Sequence, residues 1–182
     1  MPIQPKVTRL PVVGVMGSGS EFHEELASEV GRVLAGEGVN LLTGGGGGVM
    51  EAVSRSFIRT RGQGHGRVLG ILPGDSDGDQ AVERPGYPNA YVEIAIHTHL
   101  PLGGITGTSS MSRNHINILS SDVIIFLPGG DGTFSEFSLA KRYRKTIAGY
   151  FPAEQIPAYW EYSDPVFSDP WDLTCWLRSS LR

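Results

Sequence analysis

Twice in this sequence a short apolar run ends in a glycine loop that opens directly into a helical segment. One copy is Val39 to Thr43, then Gly44 to Gly48, then a helix from Val49. The other is Val123 to Leu127, then Pro128-Gly129-Gly130-Asp131-Gly132, then Thr133-Phe134-Ser135-Glu136, with helical spacing through Leu139, Ala140 and Tyr143. β-Branched apolar runs this short are what strands buried on both faces of a parallel sheet require, and Val123 to Leu127 reads as a central strand. Backbone N–H groups close on an anion only where no Cβ intervenes, and a helix N-terminus adds roughly half a positive charge there. An anion site is therefore expected at Gly129, Gly130, Gly132 and Thr133.

The run of glycines carries its own argument. At about 0.4–1 kcal/mol each relative to alanine, five glycines forfeit roughly 2–5 kcal/mol through the entropy of the unfolded chain. A flexible linker would explain them, but linkers do not sit between a buried strand and an amphipathic helix a few residues apart. Gly44, Gly45, Gly46 and Gly47 are expected to form a ligand loop. A third strand end, Gly17-Ser18-Gly19-Ser20, reads equally as a backbone cradle or as an ordinary turn in which Ser20 caps the next helix.

At 182 residues the chain is expected to be a single domain, 1–182, with a core at about 12–150 and a C-terminal wrap and helix over 151–182. The lone Cys175 fits a reducing compartment. No run of about 18 apolar residues occurs, and the start lacks an apolar signal core, so no membrane association is expected and cytoplasm is the expected location. A net charge of −4, with Arg55, Arg59, Arg61 and Arg67 spread along one helix and its exit, argues against a nucleic-acid partner.

Taken in order, residues 1–10 read as a loose lead-in and Pro11 to Met16 as the first strand. Leu26, Val30, Val33 and Leu34 then mark a helix stopped by Gly36 and Gly38. Met50, Val53 and Phe57 share one side of the next helix, which is expected to end near Gly62, and read as core by their spacing. Arg67 to Pro73 reads as a third strand, Gly74 to Asn89 as a polar excursion, and Tyr91 to Ile96 as a fourth strand. Asp75, Asp77, Asp79 and Glu83 in the excursion begin like a calcium loop, but the glycine comes too early and flanking helices are missing, so a solvated loop is expected. His97 and His99 have no evident third ligand, and no metal is expected. A helix over about Ser109 to Ser121 would carry Arg113. Thr146 to Tyr150 reads as an edge strand, and 151–168 as a wrap around the sheet edge or a partner subunit. Asp169-Pro170-Trp171-Asp172 reads as a strong helix start. Alternating strands and helices with glycine turns make this an α/β chain: a Rossmann-like, doubly wound parallel sheet with helices on both faces, its ligands at the carboxyl ends of the strands.

Thr43 to Gly48 with Val49-Met50-Glu51-Ala52, then Arg113, then Pro128-Gly-Gly-Asp-Gly-Thr-Phe-Ser-Glu136, resembles the Lonely Guy superfamily over about residues 12–150. That likeness implies a Rossmann-like fold and hydrolysis of the N-glycosidic bond of nucleoside 5′-monophosphates, releasing base and ribose 5-phosphate. Arg113 and Glu136 match its catalytic arginine and glutamate by position. It also implies Met50 among the ligand contacts and a homodimer or homotetramer.

Val13 to Gly17 and Arg113-Asn114-x-Ile116-Asn117-x-Leu119-Ser120-Ser121 resemble the molybdenum cofactor carrier proteins of the same superfamily. These bind a phosphate-bearing pterin, the molybdenum cofactor, without hydrolysing it. Asn114 stands where the hydrolases usually have lysine, which removes one positive charge from the expected phosphate site. The complete Pro-Gly-Gly-Asp-Gly-Thr loop is closer to the enzymes.

The binding of a nucleotide or pterin phosphate through Gly17, Ser18, Gly44 to Gly47, Met50, Arg113, Asn114, Gly129, Gly130, Gly132, Thr133 and Glu136 is the expectation. No further cofactor is required. Hydrolysis is the alternative. Glu136 has two readings: the far end of a Thr133-x-x-Glu136 capping box, or a carboxylate acting on ribose.

Overall fold

The computed structural model describes residues 9–61, 63, 65–75 and 84–182. Seven strands form one sheet in the order β4-β3-β2-β1-β5-β6-β7, and every pairing is parallel. The strands are β1 (Val12–Met16), β2 (Asn40–Thr43), β3 (Val68–Leu72), β4 (Ile94–His97), β5 (Val123–Phe126), β6 (Thr146–Tyr150) and β7 (Val166–Phe167). The helices are α1 (Glu24–Gly36), α2 (Val49–Arg61), α3 (Asn114–Ser120), α4 (Asp131–Arg142) and α5 (Pro170–Ser180).

Strand alternation divides the interior into two cores. Val13, Val15, Leu41, Val123 and Ile125 point to one face, where α1, α2 and α5 cover them with Val30, Leu34, Val53, Phe57, Leu173 and Leu177. Met16, Leu42, Ile71, Ile124 and Phe126 point to the other, beneath α3, α4 and the C-terminal wrap, with Ile118, Phe137, Ala140 and Phe151. This is the expected doubly wound sandwich. Because β1 leads to β2 on one side and is flanked by β5 on the other, the strand order reverses between them. A crevice forms at that switch point, outside the strands' carboxyl ends.

Several local expectations change. β6 is interior rather than an edge, because Val166 and Phe167 pair outside it and supply the edge strand. β4 begins at Ile94 rather than Tyr91, after a turn closed by a hydrogen bond from the Val92 N–H to the Asn89 carbonyl. The helix expected from Ser109 begins only at Asn114, with Arg113 at its N-cap position, because Gly104–Thr106 and the turns after it take up the preceding chain. Ser20 does not cap α1: the cap position is His23, in a left-handed conformation, and the Ser18 hydroxyl accepts from the Ser20 and Glu21 N–H groups instead. The Asp169 carboxylate does cap α5, accepting from the N–H groups of Trp171 and Asp172, with Pro170 opening the helix. Residues 1–8, the helix stop at Gly62 and the acidic loop of Asp77, Asp79 and Glu83 lie outside the described residues. Among the described residues no helix is long and apolar enough to cross a membrane.

Candidate functional site

The loop after β1 is tied to the loops after β5 and β2 by backbone hydrogen bonds. The Ser18 N–H donates to the Pro128 carbonyl at 3.0 Å and the Val49 N–H donates to the Ser18 carbonyl at 2.9 Å. These bonds bring the three glycine-bearing strand ends together at the switch point. A cavity of about 610 Å³ opens there, within the size range of small-molecule sites. Gly17, Ser18, Met50, Arg113, Asn114, Gly130, Gly132, Thr133 and Glu136 all line it.

Gly44 to Gly47 and Gly129 stand behind that wall. A Cβ at Gly44 would collide with the Arg113 guanidinium, so the missing side chain leaves the space that the guanidinium occupies. A Cβ at Gly129 would strike the Thr133 hydroxyl and come within 2.8 Å of the Ser18 nitrogen. Gly45 packs on Leu72, Gly46 on Met50 and Tyr87, and Gly47 near the Gly19 carbonyl. At Gly44, Gly45, Gly46 and Gly129 close approach is what requires glycine, whereas the 3.5 Å contact at Gly47 is an ordinary one.

Helix α4 starts at Asp131, with Gly130 at its cap position and no side-chain cap. The N–H groups of Asp131, Gly132 and Thr133 therefore have no carbonyl one turn back, and Gly132 and Thr133 border the cavity. Thr133 and Glu136 lie inside the helix, so the capping-box reading of Glu136 falls. Its carboxylate instead faces Arg113, with Nη1 at 3.8 Å from Oε1, and accepts a 3.4 Å hydrogen bond from the Asn117 amide. Arg113 Nη1 also donates to the Asn114 side-chain carbonyl at 3.1 Å.

Arg113 and Glu136 are each 8% exposed, so both charges sit in a largely desolvated floor. Burial pushes the Glu136 carboxyl up to about 7, against the opposing pull of Arg113 and the Asn117 hydrogen bond. This carboxyl therefore keeps its proton to a higher pH than an exposed glutamate does. The Tyr159 phenol is pushed up to about 12 by burial and by the charge of Glu136. Neither its hydroxyl nor the Asn117 side-chain carbonyl has a hydrogen-bond partner among the described residues.

The floor thus combines a helix N-terminus, a buried guanidinium and a carboxyl that exchanges its proton near pH 7. Such a floor can hold an anion and can move a proton beside it. Part of the remaining lining comes from chain in which no site residue was expected. Arg84 and Tyr87 belong to the excursion read as solvated, and Pro101, Leu102, Gly103, Gly104 and Thr106 follow β4. The available signal was a tyrosine, a proline and an asparagine (Tyr87, Pro88, Asn89) closing an otherwise charged segment.

The model of the SLOG cluster4 family matches residues 10–164. A cytokinin riboside 5′-monophosphate phosphoribohydrolase of Mycobacterium tuberculosis is 30% identical over 176 residues, 93% of this chain and 78% of that protein. The molybdenum cofactor binding protein of the phototrophic bacterium Rippkaea orientalis superposes with a TM-score of 0.72 at 29% identity, covering 97% of this chain and 100% of the other. The molybdenum cofactor carrier protein of Chlamydomonas reinhardtii gives 0.66 at 26% identity, over 95% and 99% of the two chains.

Proposed function

The chain belongs to the SLOG cluster4 family, and from that premise we propose that it binds a phosphate-bearing nucleotide or pterin where β1 and α4 meet. One observation carries this reading: the uncapped N-terminus of α4 and the buried Arg113 guanidinium border the same cavity. Free N–H groups give directional donors for phosphate oxygens, and a guanidinium supplies a fixed fork with full charge. In this reading Gly130, Gly132 and Thr133 hold the phosphate, and Arg113 neutralises it. Asn114 orients Arg113 through its side-chain carbonyl. Gly17, Ser18 and Met50 border the rest of the ligand, while Gly44 to Gly47 and Gly129 shape the walls without touching it.

A carrier of the molybdenum cofactor is the finer form of the proposal. It is supported by the two structural neighbours that bind or carry that cofactor and by Asn114 in place of a second cation. The cofactor would be cargo, held by its phosphate. Hydrolysis of nucleoside 5′-monophosphates is a second reading, favoured by a specific observation: Glu136 lines the same cavity, buried and 3.8 Å from Arg113, with its carboxyl pKa raised by burial. As a carboxylate it would stabilise oxocarbenium-like charge at the anomeric carbon or take a proton from attacking water.

Equilibrium binding of AMP and of molybdopterin, with an assay for free base after incubation with AMP, separates the two. A carrier binds without releasing base; a hydrolase releases it. Gly130→Val tests the anchor, since Gly130 lines the cavity and a Cβ there meets no protein atom within 4 Å; a circular dichroism spectrum checks that the variant folds. Undiminished affinity in that variant would remove the α4 loop from the proposal.

A further inference from the structure

The cavity has two unlike walls. One part of the lining is built from backbone donors and the Arg113–Glu136 pair, whereas another presents Met50, Pro73, Tyr87, Pro101 and Leu102, together with Arg84. A ligand with an anionic end and a planar aromatic end would divide itself between them. Tyr87 is the aromatic side chain among the described residues that line this wall.

Its position is held by its own turn, in which the Tyr87 N–H donates to the Arg84 carbonyl at 3.0 Å, and by non-local bonds through Asn89. The Asn89 N–H donates to the Gly45 carbonyl at 2.8 Å, and the Asn89 amide donates to the Gly46 carbonyl at 2.7 Å. The Tyr91 N–H then closes on the Asn89 side-chain oxygen at 3.0 Å. Asn89 is buried, and these bonds fasten the excursion to the glycine run. The ring seats in the notch that Gly46 leaves: a Cβ there would lie 2.9 Å from two ring atoms of Tyr87 and 2.9 Å from the Met50 methyl. A glycine in the run thus gives an aromatic ring a fixed seat at the cavity edge.

We propose that Tyr87, seated on Gly46 and Met50 and pinned by Asn89, is the platform on which the planar heteroaromatic ring of the ligand stacks. The proposal rests on the reading that this cavity takes a phosphate-bearing nucleotide or pterin, and it assigns the ring end of that ligand. Stacking on an aromatic side chain tolerates different heterocycles, because every such ring has a π-face. Tyr87 is then a specificity-determining residue for the presence of a ring, while the α4 floor reads the phosphate.

The test is calorimetric binding of AMP, adenosine, a pterin monophosphate and ribose 5-phosphate to the full chain, as wild type, Tyr87→Leu and Tyr87→Phe. The wild type should bind at least one ring-bearing phosphate about ten-fold or more tightly than ribose 5-phosphate. Tyr87→Leu should weaken that ligand by about five- to 150-fold, the range that stacking spans, and leave ribose 5-phosphate within about two-fold. Tyr87→Phe should keep most of the affinity. Asn89→Asp, which replaces the amide donor to Gly46, should reproduce the selective loss without altering the ring.

Ring-bearing phosphates that bind no better than ribose 5-phosphate would overturn the platform and leave the phosphate reading intact. Equal weakening of all ligands by Tyr87→Leu would overturn it too, reducing Tyr87 to a structural plug. If adenosine binds as tightly as AMP, ribose 5-phosphate does not bind, and Tyr87→Leu abolishes both ring-bearing ligands, the platform stands and the phosphate reading fails.

Discussion

Replacing Glu136 by glutamine should change the pH dependence of folding stability, with a sign and size that follow from the buried floor. The Glu136 carboxyl is raised from 4.5 to about 7 because its charged form is desolvated. The folded protein therefore holds this proton at pH values where the unfolded chain has lost it. The resulting stability is fully present below about pH 4.5 and is lost as pH rises to about 7. That interval corresponds to roughly 3 kcal/mol. Other titrating groups cancel when wild type and Glu136→Gln are compared, and Arg113 faces a neutral partner in both proteins at low pH. The variant should match the wild type within about 1 kcal/mol near pH 4.5 and gain on it up to pH 8, by roughly 3 kcal/mol, or about 6–12 °C in Tm for a chain of this size. Urea denaturation and thermal melts between pH 4.5 and 8 measure this directly. Parallel stability curves for the two proteins would show that Glu136 titrates normally, and the argument from burial would fail.

The same pair predicts that sulfate, which does not titrate in this range, binds more tightly to the wild type as pH falls from 8 to 6, because protonating Glu136 frees the charge of Arg113. A pH-independent sulfate affinity in isothermal titration would refute this. Arg113→Ala should weaken phosphate-bearing ligands roughly ten- to a hundred-fold, the loss of one charge-assisted bond, while a dephosphorylated ligand is nearly indifferent; equal losses would mean that Arg113 is not the phosphate clamp. Gly44→Ala should displace the Arg113 guanidinium and reproduce much of that loss with no change in any charged residue, as competition binding would report. Asp169→Ala should lower stability by about 1 kcal/mol through loss of the α5 cap, seen as a fall of about 2–4 °C in Tm. Family likeness implies a homodimer or homotetramer, and Ile94, Ile96, Ile105, Met111 and Leu119 are exposed large apolar side chains available to such contacts; light scattering that gives a monomer mass would refute the expectation.

The sequence by itself determined the layered architecture and the chemical parts of the site, because both are written in local patterns. Val123 to Phe126 is β-branched and aromatic enough to specify a strand buried on both faces. A glycine loop between such a strand and a helix leaves few conformations other than a turn with exposed N–H groups. The Asp169-Pro170 start of α5 was legible for the same reason, since a cap and its helix lie within four residues. Tertiary structure alone decided which of these parts meet. Thr133 and Glu136 have the spacing of a capping box, but α4 begins two residues before Thr133, so Glu136 turns inward to Arg113 and loses its water. The glycine run read as a ligand loop makes room for Arg113 and seats Tyr87, contacts with residues about 70 and 40 positions away that no local pattern encodes. β6 became interior because a two-residue strand from the C-terminal wrap pairs beyond it. In each case the deciding term is contact with a distant segment. That term sets the proton affinity of Glu136 and the seat of Tyr87, and it exists only once the chain has closed on itself.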